Sequence, residues 1–377
     1  MDFELSQRCH DLQQSLRSFV SETVLPQILK YEQKSVLPRK IFRNMGTLGF
    51  LRAHVPIEFG GLGMGTIAYC LFSEEVSRAG AGMTHNGHFQ TIKMMTGYGS
   101  PAQRDKYLRR LLDGEYLAAT AITEPDVGSS FASMKTTVKR RGKAFILNGI
   151  KTLINDAAEA DIVNVFARGP DGGEISVFLI EKGTPGFKIT KKQDPIGMRS
   201  SPIYEFELRN CTVGGDQLIG ESGMGLKAFF SAFNFSRLGN ASASLGIAQA
   251  ALDRTLTYLK GRQVGNHKAS EFQGLRWQMA ELDTQLAAAR LLRDNAALLE
   301  EAGRDISLES ARTKLLCVEV ATRVVGCCIQ STGRFGCLRD NLFDLYYRDA
   351  KVLGTAGGSL EVMKNNIARR LFEGVGT

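Results

Sequence analysis

What this chain lacks narrows its class before any motif is read. No run of about 18 apolar residues occurs, so the sequence predicts no transmembrane helix. The first residues, MDFELSQRCHDLQQSLRSF, are polar and periodic and hold no apolar signal core, so a cytoplasmic location is expected. Seven cysteines fall at 9, 70, 211, 317, 327, 328 and 337. Their spacing fits no zinc pattern, and the adjacent Cys327 and Cys328 point to different faces of a helix. They read as reduced core thiols, and no metal site is expected. The net charge is +8, but it is scattered, with no pure Lys/Arg run and no nucleic-acid motif. That excludes a basic nucleic-acid arm and leaves two uses for the surplus, solubility or an acidic partner. There are no repeats and no low-complexity linkers.

What is present is a three-part pattern in 377 residues, too many for one compact core. Residues 1–116 read as helices: Ile41 to Leu51 and Ile67 to Val76 show apolar spacing of three and four, with the glycine-rich EFGGLGMG (58–65) between them. Residues 117–228 alternate instead, in MKTTVKRRGKAFILNG, ADIVNVFAR, EISVFLIEKG and SPIYEFELRN, separated by turns such as GPDGGE and GTPG. This predicts a middle antiparallel β domain, a β-barrel. The helical period returns over 229–377, in long alanine-rich stretches with wide apolar stripes, which predicts a C-terminal four-helix bundle. The fold class is α+β.

Four motifs stand in order along this pattern. The first is LGFLRAHVPIEFGGLG (48–63), followed by the acidic pair Glu74 and Glu75. The second is TAITEPDVGSS (120–130), followed by ILNGIKTLIND (146–156). The third is a helix ending YLKGR (258–262), with EFQ at 271–273. The fourth is QSTGRFG (330–336), leading into YYRDAKV (346–352) and NNIARRL (365–371). Over nearly the whole chain this resembles the acyl-CoA dehydrogenase family. The resemblance implies that fold, and an FAD cofactor whose neutral ring needs hydrogen-bond donors at one edge and apolar contact on its faces. It implies that Ile122 and Thr123 contact the pyrimidine edge, that Ser129 reaches the pyrophosphate, and that Leu153, Asn155, Ser359 and Glu361 also lie against the cofactor. It further implies that Arg262 pairs with the pyrophosphate of FAD bound mainly by a neighbouring subunit, with Gln330 and Gly333 holding the adenine half. A cofactor shared in this way implies a homodimer or homotetramer.

The sequence departs from the family at its centre. Ordinary members desaturate a thioester, with a glutamate taking the α-proton while hydride leaves for the flavin. That glutamate usually opens a short run after Arg-Asp-Ala-Lys. Here VLGTAGGSLE follows Arg348-Asp349-Ala350-Lys351, and the base position falls on Gly357. A minority of the family places the glutamate just before a helical arginine; that arginine is Arg237 and the residue before it is Ser236. The aspartate that usually touches the pantetheine arm is Asn234, the aromatic before the base is Ala356, and the tryptophan over the flavin is Leu153. Arg334 replaces the second glycine of the adenine loop. Glu361 lies one helical turn beyond the base position. His88, in THNGHFQ (84–90), replaces a usual apolar residue; it can serve as a base near neutral pH or as a polar wall residue.

Without the base, several readings stay open. The flavin can take hydride from a carbon bearing oxygen, where water or a weak base removes an O–H proton. A branch of the family is thought to oxidise three-carbon units in this way on an acyl carrier protein, giving aminomalonyl- or hydroxymalonyl-type extender units for polyketide assembly, as in colibactin-type pathways. An acyl carrier protein would be the acidic partner that the basic surface suits. The alternatives are a desaturase with a relocated base (His88 or Glu361), a flavin monooxygenase, and a non-catalytic subunit of an active homologue. The electron acceptor is left open by the sequence.

Overall fold

The computed structural model describes residues 5–170 and 173–373. The N-terminal part is helical: α1 (Gln7–Phe19), α2 (Ile28–Lys34), α3 (Arg39–Thr47), α4 (Gly65–Ser77), α5 (Asn86–Tyr98), α6 (Pro101–Gln103) and α7 (Arg109–Leu112). Local signals start these helices. The Ser6 hydroxyl accepts from the Cys9 amide at 3.3 Å, and α1 then buries Cys9, Leu12, Leu16 and Phe19 at helical spacing. Ser100 and Gln103 form a reciprocal capping box ahead of α6.

The middle part holds β1 (Ala118–Ala121), β2 (Thr137–Arg141), β3 (Ala144–Asn155), β4 (Ile162–Arg168), β5 (Ile175–Glu181), β6 (Phe187–Gln193) and β7 (Ile203–Gly214). Hydrogen bonding runs β5–β4–β2–β3–β7–β6, and β1 shares one edge of β4 with β2. Two features differ from the expected antiparallel barrel. β1 pairs with β4 in parallel, as the segment between them is long enough to cross over. Among the described residues no pairing joins β5 to β6, so the ladder stays open. β4 and β5 are buried on nearly every residue, and β5 packs against the C-terminal helices, which is why IVNVFAR and ISVFLIE read as continuous apolar runs. β7 has one buried face and alternates.

The C-terminal part is α8 (Gly225–Gly261), a small ribbon of β8 (Gln263–Val264) and β9 (His267–Lys268), α9 (Gln273–Glu301), α10 (Ser307–Thr332), α11 (Phe343–Leu353) and α12 (Leu360–Glu373). The change to helix comes at Gly225, so the expected boundary at 228/229 falls inside the first turn of α8. One described segment, Ser307–Cys337, reaches the length and mean hydropathy (1.3) of a membrane span, against the expectation of none. Its apolar stripe, from Ala311 through Cys317, Val318, Ala321 and Val324 to Cys328, is buried, and α10 packs on α8, α9, α11 and α12; it is the core helix of the bundle.

α4 and α8 cross at glycines. A Cβ at Gly246 would fall inside contact distance of the Glu74 carbonyl oxygen, and one at Gly239 would meet the Tyr69 hydroxyl. Replacing Gly246 with alanine gains about 1 kcal/mol of helix propensity. Overpacking against backbone typically costs 1–3 kcal/mol and the backbone cannot yield locally, so overpacking wins. Gly246→Ala is therefore expected to lower the urea-unfolding free energy by up to about 2 kcal/mol; a stabilised variant would show that the helices part freely.

Candidate active site

The segment Ile122–Phe131 follows β1 and carries the second motif. It is fixed from below by Lys151, whose ammonium donates to the Ile122 carbonyl at 3.0 Å and pairs with Glu124 at 2.8 Å. Both side chains are almost fully buried. Burial opposes the Glu124 charge, yet Lys151 and the amides of Lys135 (2.6 Å) and Thr136 (2.9 Å) hold the carboxyl below its usual range. The Thr152 amide donates to the Thr123 carbonyl at 3.1 Å. The Thr123 amide itself has no partner among the described residues.

On β3 the register with β7 shifts between Lys151 and Ile154. This bulge puts Leu153 at φ 57°, in the left-handed region where a leucine is strained, and leaves its side chain 57% exposed. Asn155 follows, its amide donating to the Ser201 carbonyl at 3.1 Å. A buried carboxyl, Asp349 on α11, accepts from the Met198 amide at 2.6 Å and the Ala81 amide at 2.7 Å. Burial, then the neighbouring Glu32, pushes it up to about 7.

The loop between α11 and α12 carries Gly357 at φ 68° and Gly358 at φ 90°. Beneath it lies Lys314 of α10, fully buried, its ammonium donating to the carbonyls of Ala356 and Gly358. The peptides are trans, so with these carbonyls turned inward the amides of Gly357 and Ser359 face the other way. Neither amide has an acceptor among the described residues, and both residues line the adjoining cavity. Two unpaired donors side by side suit an oxygen that bears negative charge. Burial, with the charge of Arg237 adding to it, brings Lys314 down to about 7.

The cavity has a volume of about 770 Å³ and lies between the β domain and the C-terminal helices. Of the sequence-predicted site residues it gathers Ile122, Thr123, Ser129, Leu153, Asn155, Asn234, Arg237, Ala356, Gly357 and Ser359. Arg262, Gln330 and Gly333 lie outside it and are exposed. Tyr258 stacks on Phe335 at 4.7 Å, which joins the end of α8 to the turn after α10, so these three share one end of the bundle. Glu361 is exposed in the first turn of α12 and does not line the cavity, which removes it as a base there.

Two expectations need correction. Ser236 is fully buried and turned away from the cavity, donating to the Phe233 carbonyl at 3.0 Å and accepting from Gln90 at 2.8 Å. His88 is a core residue. Its Nδ1 accepts from the Ala118 amide at 3.3 Å and its ring meets the Phe42 ring edge at 5.0 Å. Burial, with His85 beside it, takes it down to about 3, so it is neutral and far from the reacting space. Sequence reasoning missed Lys314 and Asn240. Lys314 was legible as a charge on the buried stripe of α10. Asn240 carried no such signal, although its amide stands where a Cβ at Gly357 would go.

The residues present fit FAD. Thr123 offers an unpaired amide at the inner edge, Leu153, Met198, Ile203 and Val352 offer apolar contact, and Gly128 and Ser129 form an open turn at the mouth.

Three family models match in order: the acyl-CoA dehydrogenase N-terminal domain over residues 6–115, the middle domain over 119–211 and the C-terminal domain over 223–372. The mitochondrial isovaleryl-CoA dehydrogenase of Pongo abelii is 33% identical, across 97% of this chain and 89% of its own. The butyryl-CoA dehydrogenase structure from Megasphaera elsdenii superposes with a TM-score of 0.95 at 28% identity, covering 99% of this chain and 100% of its own. A glutaryl-CoA dehydrogenase from Mycobacterium smegmatis in complex with FADH2 superposes at 0.92 with 26% identity, covering 97% of this chain and 95% of its own. The chain thus belongs to the acyl-CoA dehydrogenase family, and it is an FAD-dependent oxidoreductase whose site has glycine where its own sequence register places the family's base.

Proposed function

We propose that this protein oxidises a short, oxygenated acyl group from the aldehyde to the acid level, with the group carried as a thioester on an acyl carrier protein, giving an aminomalonyl- or hydroxymalonyl-type unit. The observation that carries this reading is the cavity lining: among the described residues it has no aspartate or glutamate, it holds Arg237 without an acidic partner, and Arg369 and Arg370, which pair with Glu373 and Asp305, stand at it as well. Desaturation needs a base placed to take a carbon-bound proton. The two candidates for a relocated base, His88 and Glu361, do not reach the cavity. An aldehyde hydrate loses its proton from oxygen, and water accepts it.

Bound FAD supplies the acceptor for the two electrons. Ile122, Thr123, Ser129, Leu153 and Asn155 would hold it from the β side. The amides of Gly357 and Ser359 are placed to donate to a substrate oxygen as negative charge builds on it. The inner end of the site is closed by polar packing. Asn240 bonds to Asn86, and Asn86 to the Tyr69 hydroxyl at 2.9 Å, all of them well packed. An alkyl chain would have to displace these bonds, which favours a short acyl group. A carrier presents the pantetheine arm alone, which suits the neutral Asn234. Arg262, Gln330 and Gly333, gathered at an exposed end of the bundle, are suited to hold the cofactor of a second copy. The likeness to a structure described under the electron transferring flavoprotein of Acidaminococcus fermentans (TM-score 0.95, 31% identity, covering 98% of this chain and 99% of that one) supports such a flavoprotein as electron acceptor.

The reading is tested by intact mass spectrometry of an aldehyde-loaded carrier incubated anaerobically with the protein. A gain of one oxygen with flavin bleaching is expected, and a strict need for molecular oxygen would favour the monooxygenase reading instead. Butyryl- to palmitoyl-CoA should not bleach the flavin, because a placed base is typically worth about 10²–10⁴-fold. Gly357→Glu is not expected to restore that activity, since its Cβ would collide with Asn240 and φ is positive. Rapid enoyl-CoA formation by either protein would sink the argument.

Arg262→Ala is expected to lower flavin retention on a desalting column, as a charge-assisted phosphate contact contributes about 1.5–3 kcal/mol. Unchanged retention would remove Arg262 from the cofactor site. Lys314 titrates at about 7 in the fold against an ordinary 10.5, so the unfolded chain binds the extra proton between those values and stability rises with pH across that window. The unfolding free energy of the wild type relative to Lys314→Met should therefore rise by about 1–4 kcal/mol from pH 7 to pH 10. Parallel pH profiles would mean that the ammonium stays charged throughout.

A further inference from the structure

Arg237 is 4% exposed, lines the cavity from α8, and has no acidic partner among the described residues. Its Nη1 donates to the Asn234 side-chain oxygen at 2.8 Å, and the guanidinium lies 4.7 Å from the centre of the Phe233 ring. Its Nε is buried without any hydrogen-bond partner. The other deeply buried guanidinium, Arg293, is matched by Glu74 at 2.6 Å, and the buried ammonium of Lys151 is matched by Glu124. Lys314 adds a second cation to the same region, and it too has only carbonyls for partners. A buried guanidinium without a counter-charge is costly to the folded chain, unless a ligand brings the negative charge. Asn234, one of the positions where the sequence departs by losing a carboxylate, is the residue that Arg237 touches, and Gly357 lines the same cavity.

We propose that Arg237 is the receptor for a carboxylate on the acyl group, so that the site selects thioesters that carry, or acquire, an acid at the end of a three-carbon unit. Guanidinium nitrogens offer a planar pair of donors to a carboxylate, and Phe233 beneath keeps that plane in one orientation. The orphaned Nε is one of the donors this uses. The inference rests on the aldehyde-to-acid reading only for where the carboxylate comes from; binding does not require turnover.

The FAD-loaded protein would be titrated with malonyl-CoA and with propionyl-CoA, which differ in the terminal carboxylate, and the flavin absorbance followed. Malonyl-CoA is expected to bind at least about tenfold more tightly, the weight of one charge-assisted hydrogen bond. Arg237→Gln should bring the ratio to near one and Arg237→Lys should keep part of it. Asn234→Asp places a carboxylate on Nη1 without changing the shape, so it should also lower the ratio, and it serves if Arg237→Gln does not fold. A ratio near one in the wild type overturns the proposal, as does a ratio untouched by Asn234→Asp. A malonyl preference in a protein that never oxidises the aldehyde would leave the carboxylate site standing and remove the oxidation reading.

Discussion

The Lys314 ammonium lies buried under the loop between α11 and α12 and donates to the carbonyls of Ala356 and Gly358. Much of the site depends on that contact. It turns two carbonyls away from the cavity, and peptide planarity then turns the Gly357 and Ser359 amides toward it. It also holds the positive φ at Gly357 and Gly358 that closes the loop over Asn240. A side chain at Gly357 would meet the Asn240 amide and start from a positive φ, so the loop as it stands suits glycine.

Around this contact the electrostatics follow a consistent sign. The cavity gathers arginines and amide donors and no acid. The buried carboxyls of the protein are used elsewhere: Glu124 holds the Ile122–Phe131 segment through Lys151, Glu74 ties α4 to α9 through Arg290 and Arg293, and Asp349 pins Met198 to α11. These pairs build the walls, while Arg237 at the cavity is left without an acid. A site of that sign favours states in which the substrate gains negative charge, as it does when an aldehyde becomes an acid.

The position of α8 makes this possible. Its glycine-faced crossing with α4 sets Tyr69 against Gly239, Asn86 of α5 bonds both Tyr69 and Asn240, and the same helix presents Phe233, Asn234 and Arg237 on the cavity side. Hydrogen-bonded polar packing then fills the depth of the site. The oxidation proposed for it and the short acyl group it would accept both follow from how closely two helices approach.

The sequence by itself determined the order helical, β, helical, because the apolar period changes from 3.6 to 2 and back where α7 gives way to β1 and β7 to α8. The resemblance carried by its motifs implied one site for Ile122, Thr123, Ser129, Leu153, Asn155 and Gly357, and the cavity gathers them. That grouping came from the family resemblance, whereas strand alternation, helix caps and glycine turns act within a few residues and set only the elements themselves. Only the tertiary structure decided which polar residues face that cavity. Ser236 and Arg237 are neighbours in sequence, yet one is bonded away into the core and the other lines the wall, since adjacent residues on a helix point about 100° apart. In sequence His88 read first as a polar wall residue and second as a base; Phe42 and the Ala118 amide enclose it in the core instead. Lys314 and Gly357 are far apart in sequence, and the contact that shapes the site exists only once α10 packs beneath the loop, because burial and hydrogen bonding between distant segments are set by packing rather than by local pattern.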